Sequence, residues 1–358
     1  MSLGITILIA VLISFLILFT VLGNSFVLFA FLIDKRLRNQ SDFVLLNLAI
    51  CDFFIGAFTS PLYLLYMLTG KWMLGRFLCK LWLTADYTIC AASVFNIVLI
   101  SYDRFLAVTK AVLYRSLQNK QSHTVLSMCV VWIMSFLLYG PAILFWKNDF
   151  IDNDIAADIC VVGFHDTWYF HLGTSCVDFV LPLISISFFN ISIYHNIKRR
   201  SRKKRQTSAS EQFREKEKAG RLSIIATNSV LFSLQPHGVN MTSLRHYFCN
   251  KHISFPTNNG RVGQVNVQIT KLSRDKRLFK SLLILVCVFV ICWAPFSFLA
   301  SINSACTGYC VDSYWYEITF WMLYMNSAIN PILYPLCHKK FRNAFSLVFK
   351  NNWIHKHN

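Results

Sequence analysis

Charged residues are scarce in this sequence: Asp, Glu, Lys and Arg make up 15% of its 358 residues, whereas hydrophobic residues make up 55%. A soluble domain carries nearer a quarter charged residues, so this composition excludes an ordinary soluble protein. Acidic residues are especially few, at 17 against 35 basic ones. The motifs of common enzymes are also missing, because there is no nucleophile elbow, phosphate-binding loop or HExxH sequence. The sequence therefore indicates a membrane protein that is not an enzyme.

Long runs without charge fill most of the chain. Residues 3–33 contain no charged side chain, and at ~1.5 Å per residue such a helix crosses a hydrocarbon core of ~30 Å. This run is too long for a signal-peptide core and has no basic start. Six further spans are predicted near 42–67, 77–109, 121–145, 167–197, 278–303 and 314–335. The predicted fold is an all-α membrane protein, a seven-transmembrane helix bundle within residues 1–350, followed by a tail over 351–358. The spans are numbered one to seven in chain order.

Two polar regions complete this picture. Residues 198–276 are basic, rich in Ser and Asn and without sustained periodicity. They predict a largely disordered third cytoplasmic loop, with helical ends that continue spans five and six. After span seven, Phe341, Phe345 and Phe349 recur every four residues. This spacing predicts a short amphipathic helix on the membrane surface.

The basic residues of the loops set the expected orientation, because they collect on the cytoplasmic side of a membrane. Basic residues follow spans one, three, five and seven, and KRRSRKKR after span five contains seven of them. The loop between spans four and five is acidic, with Asp149, Asp152, Asp154, Asp158 and Asp166. We therefore expect an extracellular N-terminus, a cytoplasmic tail and contact with membrane lipid. The net charge of +18 follows from this topology and does not indicate a nucleic-acid partner.

Four of the twelve cysteines lie in predicted outer segments, whereas most others lie inside spans. Cys79 opens span three and Cys160 lies in the acidic loop, so both face an oxidising compartment in which a disulfide forms readily. Cys306 and Cys310 lie in the last outer loop and are expected to close a small ring, with two free thiols as the alternative.

Four acidic residues are placed inside spans: Asp52, Asp86, Asp103 and Asp178. An acid at the bilayer centre costs roughly 2.5–3.5 kcal/mol, so it normally faces an interior cavity. Asp86 and Asp103 share span three, and the 17 positions between them correspond to ~25 Å along a helix. This geometry favours a binding site near the outer end and an output near the cytoplasmic end.

Short motifs within the spans resemble those of rhodopsin-like G-protein-coupled receptors. They are LNLAICD at 46–52, DRF at 103–105, CWAP at 292–295 and NPILY at 330–334. Each lies in the expected span, and the resemblance covers the chain except its third cytoplasmic loop and its ends. It implies a receptor that signals to a heterotrimeric G protein and binds arrestin.

Within this family the sequence resembles the biogenic-amine receptors. Asp86 lies seven residues after Cys79, where amine receptors keep their amine-binding carboxylate. A partly desolvated carboxylate attracts an ammonium strongly, and aromatic faces add cation–π contacts. The alternative is an interior acid with a structural partner. The resemblance assigns to the ligand site the residues Asp86, Tyr87, Cys90, Phe164, Thr174, Asp178, Trp293, Phe296, Phe320, Trp321 and Tyr324.

Asp178 narrows the expected ligand to histamine. It lies four residues before Pro182, where the type-three and type-four histamine receptors carry a Glu. A second acid suits a ligand with a donor at each end, such as an ammonium and an imidazole N–H; the alternative is a solvated or lipid-edge acid. The segments LNLAICDFFIGAFTSPLY, ASVFNIVLISYDRF and LYPLCHKKF resemble the type-four receptor. The departures from it in the pocket wall are Tyr139, Phe296, Leu323 and Tyr324.

The same resemblance assigns two further sites. Asp52 is similar to the sodium-site acid of the family, with a hydrated network lacking a fixed ion as the alternative, and oxygen ligands suit such a hard cation. Its expected neighbours are Asn24, Ser93, Asn326 and Asn330. Arg104 is expected to pair with Asp103 and, across the bundle, with Asp275, until span six swings outward about Pro295. Tyr334 is assigned to this switch, and no other cofactor is expected.

The leading hypothesis is a histamine receptor that couples to inhibitory G proteins. One alternative is a receptor for another amine, and another is a seven-helix receptor with an altered ligand or lost signalling. A transporter or channel predicts inverted repeats and helices broken at the midplane. The sequence shows neither feature.

Overall fold

The computed structural model describes residues 3–37, 39–118, 121–146, 158–165, 167–232, 259–306, 310–337, 341–344 and 346. Every predicted span is helical, and the described residues contain no strand. Spans one, three, four and seven are the helices Leu3–Ile33, Gly75–Thr109, Gln121–Phe145 and Ser313–Cys337. Span six belongs to the helix Asn259–Ala305. Short helices at Lys35–Leu37 and Ala111–Gln118 follow spans one and three.

Spans two and five are each interrupted by a π-helical turn. Span two consists of Gln40–Phe54, the π turn Ile55–Thr59 and Ser60–Thr69. Span five consists of Trp168–Ser175, the π turn Cys176–Val180 and Leu181–Phe232. Each turn ends two residues before a proline, Pro61 or Pro182. Because proline has no N–H and its ring crowds the carbonyl four residues earlier, a wider turn accommodates it, and π turns of this kind are frequent at functional sites.

The helix surfaces are those of a membrane protein. Six of the described helices are long and apolar enough to cross a membrane. Span seven adds 25 residues, or ~38 Å, although its Tyr, Trp, Asn and Pro side chains make it less apolar. Large apolar side chains point away from the bundle, among them Phe15 at 70% exposure and Phe298 at 67%. Such surfaces fit hydrocarbon rather than water.

Close helix contacts and buried amides hold the bundle together. A Cβ at Gly23 would lie 3.1 Å from the ring of Pro331, so glycine permits spans one and seven to approach closely. Span three packs against spans two and four. The side chain of Asn47 joins all three, since its amide donates to Asn96 at 2.8 Å and its oxygen accepts from the indole of Trp132 at 3.0 Å.

Residues His195–Lys276 form a second compact unit, separate from Met1–Tyr194 and Arg277–Asn358. The prediction of a largely disordered loop differs from this structure, in which helix continues to Phe232 and resumes at Asn259. The charged sequence supports helix through pairs such as Glu217–Arg221 at 3.1 Å, one turn apart. Pro236 and Pro256 lie in the intervening stretch, which is outside the described residues.

The segment after span seven is described at 341–344 and 346, where it is helical. Phe341, the first residue of the predicted apolar stripe, is fully buried. Its ring lies 5.5 Å from that of Phe31 and 5.6 Å from that of Tyr334, so it packs onto spans one and seven. Phe345, Phe349 and the tail 351–358 lie outside the described residues.

Candidate ligand and signalling sites

Asp86 is buried within the bundle, at 4% exposure, in the half of span three that carries Cys79. The hydroxyl of Tyr324 donates to its Oδ1 at 2.8 Å, and the sulfur of Cys90, one helical turn further along, lies 4.0 Å from the same oxygen. No ion pair with Asp86 is found among the described residues. A buried carboxylate without a cationic partner is costly, so this side chain is prepared to receive a cation.

Two aromatic rings of span seven pack against the ring of Tyr324. The ring of Tyr324 lies edge-on to Phe320 at 4.9 Å and to Trp321 at 5.5 Å. Phe296 continues this wall from span six, 5.4 Å from Phe320. Trp293 packs on Phe289 instead, at 5.8 Å, and its buried indole N–H has no hydrogen-bond partner among the described residues. The faces of such rings are suited to an organic cation.

A disulfide joins Cys79 to Cys160, with a Cα–Cα distance of 5.7 Å. It holds the loop before span five against span three. Four residues after Cys160, the fully buried Phe164 lies 6.3 Å from Tyr87 and 4.3 Å from Phe170. The loop thus contributes one aromatic ring beside Tyr87, the residue that follows Asp86 in the sequence. We call this end of the bundle, which carries the Cys79–Cys160 bond, the disulfide end.

A second disulfide joins Cys306 to Cys310 between spans six and seven.

The acidic loop before span five is described only in part. Its Asp158 pairs with Lys71 at 2.9 Å. The other four loop acids, Asp149, Asp152, Asp154 and Asp166, lie outside the described residues.

Asp178 lies on the π turn of span five and is buried. Its partner is Tyr139 of span four, whose hydroxyl donates a short hydrogen bond to Oδ2. Tyr139 also packs on Tyr87 at 4.9 Å, so the rings connect the surroundings of Asp178 to those of Asp86. The lipid-edge alternative for Asp178 does not fit this burial. Tyr139 is a departure from the type-four pattern, and its long side chain reaches the short Asp.

Thr174 lies one turn before Asp178 and is buried. Its hydroxyl donates to the carbonyl oxygens of Phe170 and His171, both at 3.1 Å. A serine or threonine hydroxyl bonded to its own helix in this way contributes less to a ligand than a free one.

The residues expected around Asp52 form a buried polar cluster. Ser93 donates to Oδ1 of Asp52 at 3.2 Å, and Asn330 donates to Oδ2 at 2.8 Å. Asn24 donates to the carbonyl oxygen of Ser327 at 3.1 Å, whereas its own Oδ1 is buried and has no hydrogen-bond partner in the part of the chain that the structure describes. Asn326 is also buried. A carboxylate, a hydroxyl and an orphaned amide oxygen are hard donors, so these residues fit a small cation such as sodium.

The expected switch residues are divided between the two compact units. In the first unit, Arg104 lies 4.0 Å from Oδ2 of Asp103, and Tyr334 is buried. In the second unit, Oδ2 of Asp275 pairs with Arg200 at 3.3 Å. The pairing of Arg104 with Asp275 stays a prediction.

Sequence reasoning missed two residues of the ligand region, Tyr63 and Glu317. The hydroxyl of Tyr63 donates to Glu317 at 2.7 Å. Glu317 lies inside the predicted range 314–335 but is not among the four acids counted from the sequence. Its spacing of seven residues before Tyr324, two helical turns, was the available signal. Tyr63 is one of many aromatics, and no feature of the sequence distinguished it.

Comparison with known proteins agrees with this architecture. The family described as "7 transmembrane receptor (rhodopsin family)" matches residues 23–334. The human histamine H4 receptor is 38% identical over 353 residues, covering 92% of this chain and 88% of the relative. The mouse histamine H4 receptor is 35% identical, covering 90% and 87%. The human muscarinic acetylcholine receptor M1 is 27% identical, covering 93% and 87%.

The family match includes all the motif-bearing spans, and the helices, the buried acids and the disulfide lie where the motifs indicate. The chain therefore belongs to the rhodopsin family of seven-transmembrane, G-protein-coupled receptors, and it is a multi-pass receptor of the plasma membrane rather than an enzyme.

Proposed function

We propose that this receptor binds a biogenic amine, with histamine as its preferred ligand. The observation that carries the proposal is the buried Asp86 carboxylate, which has a phenol donor and an aromatic wall but no cationic partner among the described residues. An ammonium ion supplies the missing charge, and the ring faces of Tyr324 and Phe320 supply cation–π contacts. The name of the H4 relatives supports histamine in particular.

Competition binding on membranes tests this assignment directly. Histamine and a set of other amines compete for one radiolabelled amine, and histamine is expected to bind most tightly. A higher affinity for an amine without a second polar end would promote the alternative of another amine receptor. Absence of any amine binding at normal surface expression would reject the proposal.

Asp178 is the proposed partner of the imidazole N–H. Asp178→Ala is expected to weaken histamine roughly ten- to a hundredfold, because a charge-assisted hydrogen bond contributes ~1.5–3 kcal/mol. Phenylethylamine has an ammonium but no distal N–H, so its affinity is expected to change little. Competition binding measures the change in affinity that Asp178→Ala causes for each ligand. The contribution of Asp86 to the binding of both ligands cancels when the two changes are compared.

Tyr139→Phe is the matched control for this prediction. It removes the phenol that occupies Oδ2 of Asp178 and keeps both the ring and the carboxylate. Histamine affinity should be retained or increased, because the ligand no longer shares this oxygen with Tyr139. Equal weakening of histamine and phenylethylamine by Asp178→Ala would count against histamine as the preferred ligand.

The proposed output is coupling to inhibitory G proteins, followed by arrestin binding. Its support is the position of Arg104, ~27 Å from Asp86 along span three, together with the intact DRF and NPILY motifs. Arg104→Ala is expected to abolish histamine-driven nucleotide exchange on a purified inhibitory G protein while ligand binding persists. Wild-type exchange in this variant would contradict the role, and stronger exchange on another G-protein class would reassign the coupling.

Sodium is the proposed allosteric ion of the Asp52 cluster, in which Asp52, Ser93, Asn330 and the orphaned oxygen of Asn24 would hold it. The ion would favour one arrangement of spans one, two, three and seven. Sodium, but not potassium, is expected to raise the Tm of the purified receptor, and Asp52→Asn should remove that increase. An equal increase in wild type and variant would contradict this site.

The proposed orientation has the disulfide end outside the cell and the tail inside it. Its support is the basic character of the segments after spans one, three, five and seven. An epitope at the N-terminus should be labelled on intact cells, and one at residue 358 only after permeabilisation. The reverse pattern would overturn the assignment.

A further inference from the structure

We infer that Glu317 forms a second cation subsite on the aromatic wall that also carries Tyr324, so that the receptor accepts linear dicationic amines that bridge Asp86 and Glu317. This inference rests on the proposed amine function and extends it to a further class of ligand. Its basis is that two acids, Asp86 and Glu317, are held by tyrosine hydroxyls of one aromatic wall.

Glu317 is half-buried in span seven, and one oxygen accepts the hydroxyl of Tyr63 at 2.7 Å. Among the described residues it forms no ion pair with a basic side chain. Tyr63 itself is buried and stays in place through ring contacts, 4.4 Å to Phe320 and 5.5 Å to Trp321. The hydroxyl of Tyr63 therefore orients the carboxylate of Glu317, and no basic side chain among the described residues neutralises its charge.

The two acids belong to one continuous wall. Glu317, Phe320 and Tyr324 are spaced three and then four residues apart, which places them on a single face of the helix. Tyr324 binds Asp86 at one end of this face, and Tyr63 binds Glu317 at the other. The ring of Tyr63 lies 6.3 Å from that of Tyr324, so the two phenols meet between the acids.

This wall suits a molecule with a cation at each end and a hydrocarbon chain between them. Two uncompensated carboxylates repel each other, and one dication neutralises both. The intervening rings of Phe320, Tyr63 and Tyr324 present apolar surface to methylene groups. Glu317 precedes Tyr324 by two helical turns, so these two residues of the wall are ~10 Å apart along the helix axis. At ~1.2 Å per bond, an extended chain of roughly eight bonds has this length, and each terminal ammonium contacts its carboxylate at a further ~3 Å.

The test compares α,ω-diaminoheptane, which has eight bonds between its nitrogens, with heptylamine of equal chain length. Both compete with a radiolabelled amine on wild-type receptor, with diaminobutane and butylamine as a shorter pair. Diaminoheptane is expected to bind about tenfold or more tightly than heptylamine, because it gains one charge-assisted contact. Diaminobutane should gain less over butylamine, because its chain covers less of the aromatic wall.

Glu317→Gln keeps an acceptor for Tyr63 and removes only the charge. The advantage of diaminoheptane over heptylamine should fall to within about twofold. Asp312→Asn is the matched control, since Asp312 is an exposed acid just before the same helix. It should leave the advantage intact. Glu317→Asp provides a second variant. Because its side chain is one methylene shorter, the diamine with the greatest advantage over its monoamine should be about one methylene longer than in wild type.

The outcomes separate this inference from the proposed function. An advantage that is absent in wild type, survives Glu317→Gln or is lost equally in Asp312→Asn would overturn the second subsite, while Asp86-dependent heptylamine binding leaves the amine function standing. Absence of binding by histamine and heptylamine alike would overturn both.

Discussion

Asp86→Asn is expected to abolish amine binding while surface expression stays normal. Asn has nearly the same shape and still accepts the hydroxyl of Tyr324, so the pocket should keep its form. The change removes the charge that pairs with the ammonium. Breaking a buried charge pair costs ~3–5 kcal/mol, or roughly two to three and a half decades of affinity. Competition binding with histamine at matched receptor density measures the loss.

Tyr324→Phe is the control for this prediction. It removes one hydrogen bond to the carboxylate and keeps both the charge and the ring contacts with Phe320 and Trp321. A single hydrogen bond to a charged group contributes ~1.5–3 kcal/mol, so the effect should be smaller than that of Asp86→Asn. Near-normal histamine potency in Asp86→Asn would refute the amine site, whatever the control shows.

Cys79→Ser and Cys160→Ser are each expected to prevent most of the receptor from reaching the cell surface. The bond closes a loop with a sequence separation of 81, and loss of a disulfide in such a loop costs ~2–5 kcal/mol. Loss of the disulfide also releases the loop that carries Phe164, whose ring packs against the rings of Tyr87 and Phe170. Surface labelling and the Tm of the purified protein measure the two consequences.

Cys306→Ser is the matched control, because its disulfide spans a sequence separation of only 4. The stabilisation by a disulfide grows with the length of the loop it closes, so this variant should express better than the other two. Peptide mapping without reduction checks the connectivity. Recovery of Cys79 and Cys160 as free thiols from active receptor would contradict the structural role of the bond.

The sequence predicted the spans well, because their boundaries depend on uncharged runs and on helix length. The helices Leu3–Ile33 and Gly75–Thr109 agree with predicted ranges to within two residues at either end. The rise per residue also fixed the separation of Asp86 from Asp103, since both lie on one uninterrupted helix. Such local rules require no knowledge of how helices pack.

Features that depend on packing between helices could not be predicted. The hydrogen bond between Tyr139 and Asp178 joins spans four and five across 39 positions. In the sequence, Tyr139 was only a departure from a family pattern. Glu317 was overlooked because a lone acid near a helix end resembles a solvated one, and its link to Tyr63 crosses 254 positions. The inward packing of Phe341 likewise depends on rings from spans one and seven.

The π turn in span five divides one helix into two sections with independent registers. Each π turn holds one residue more than the α-helical path it replaces, so the section before it is rotated by ~100° relative to a continuous helix. Asp178 lies on this turn, whereas Phe188 and Phe189, which pack against Phe105 of span three, lie beyond it. Substitutions in the section before the π turn can therefore change its inward-facing side chains. The ring contacts of Phe188 and Phe189 with Phe105 stay as they are. Substitutions can thus accumulate on one side of the π turn while the helix packing on the other side keeps its register.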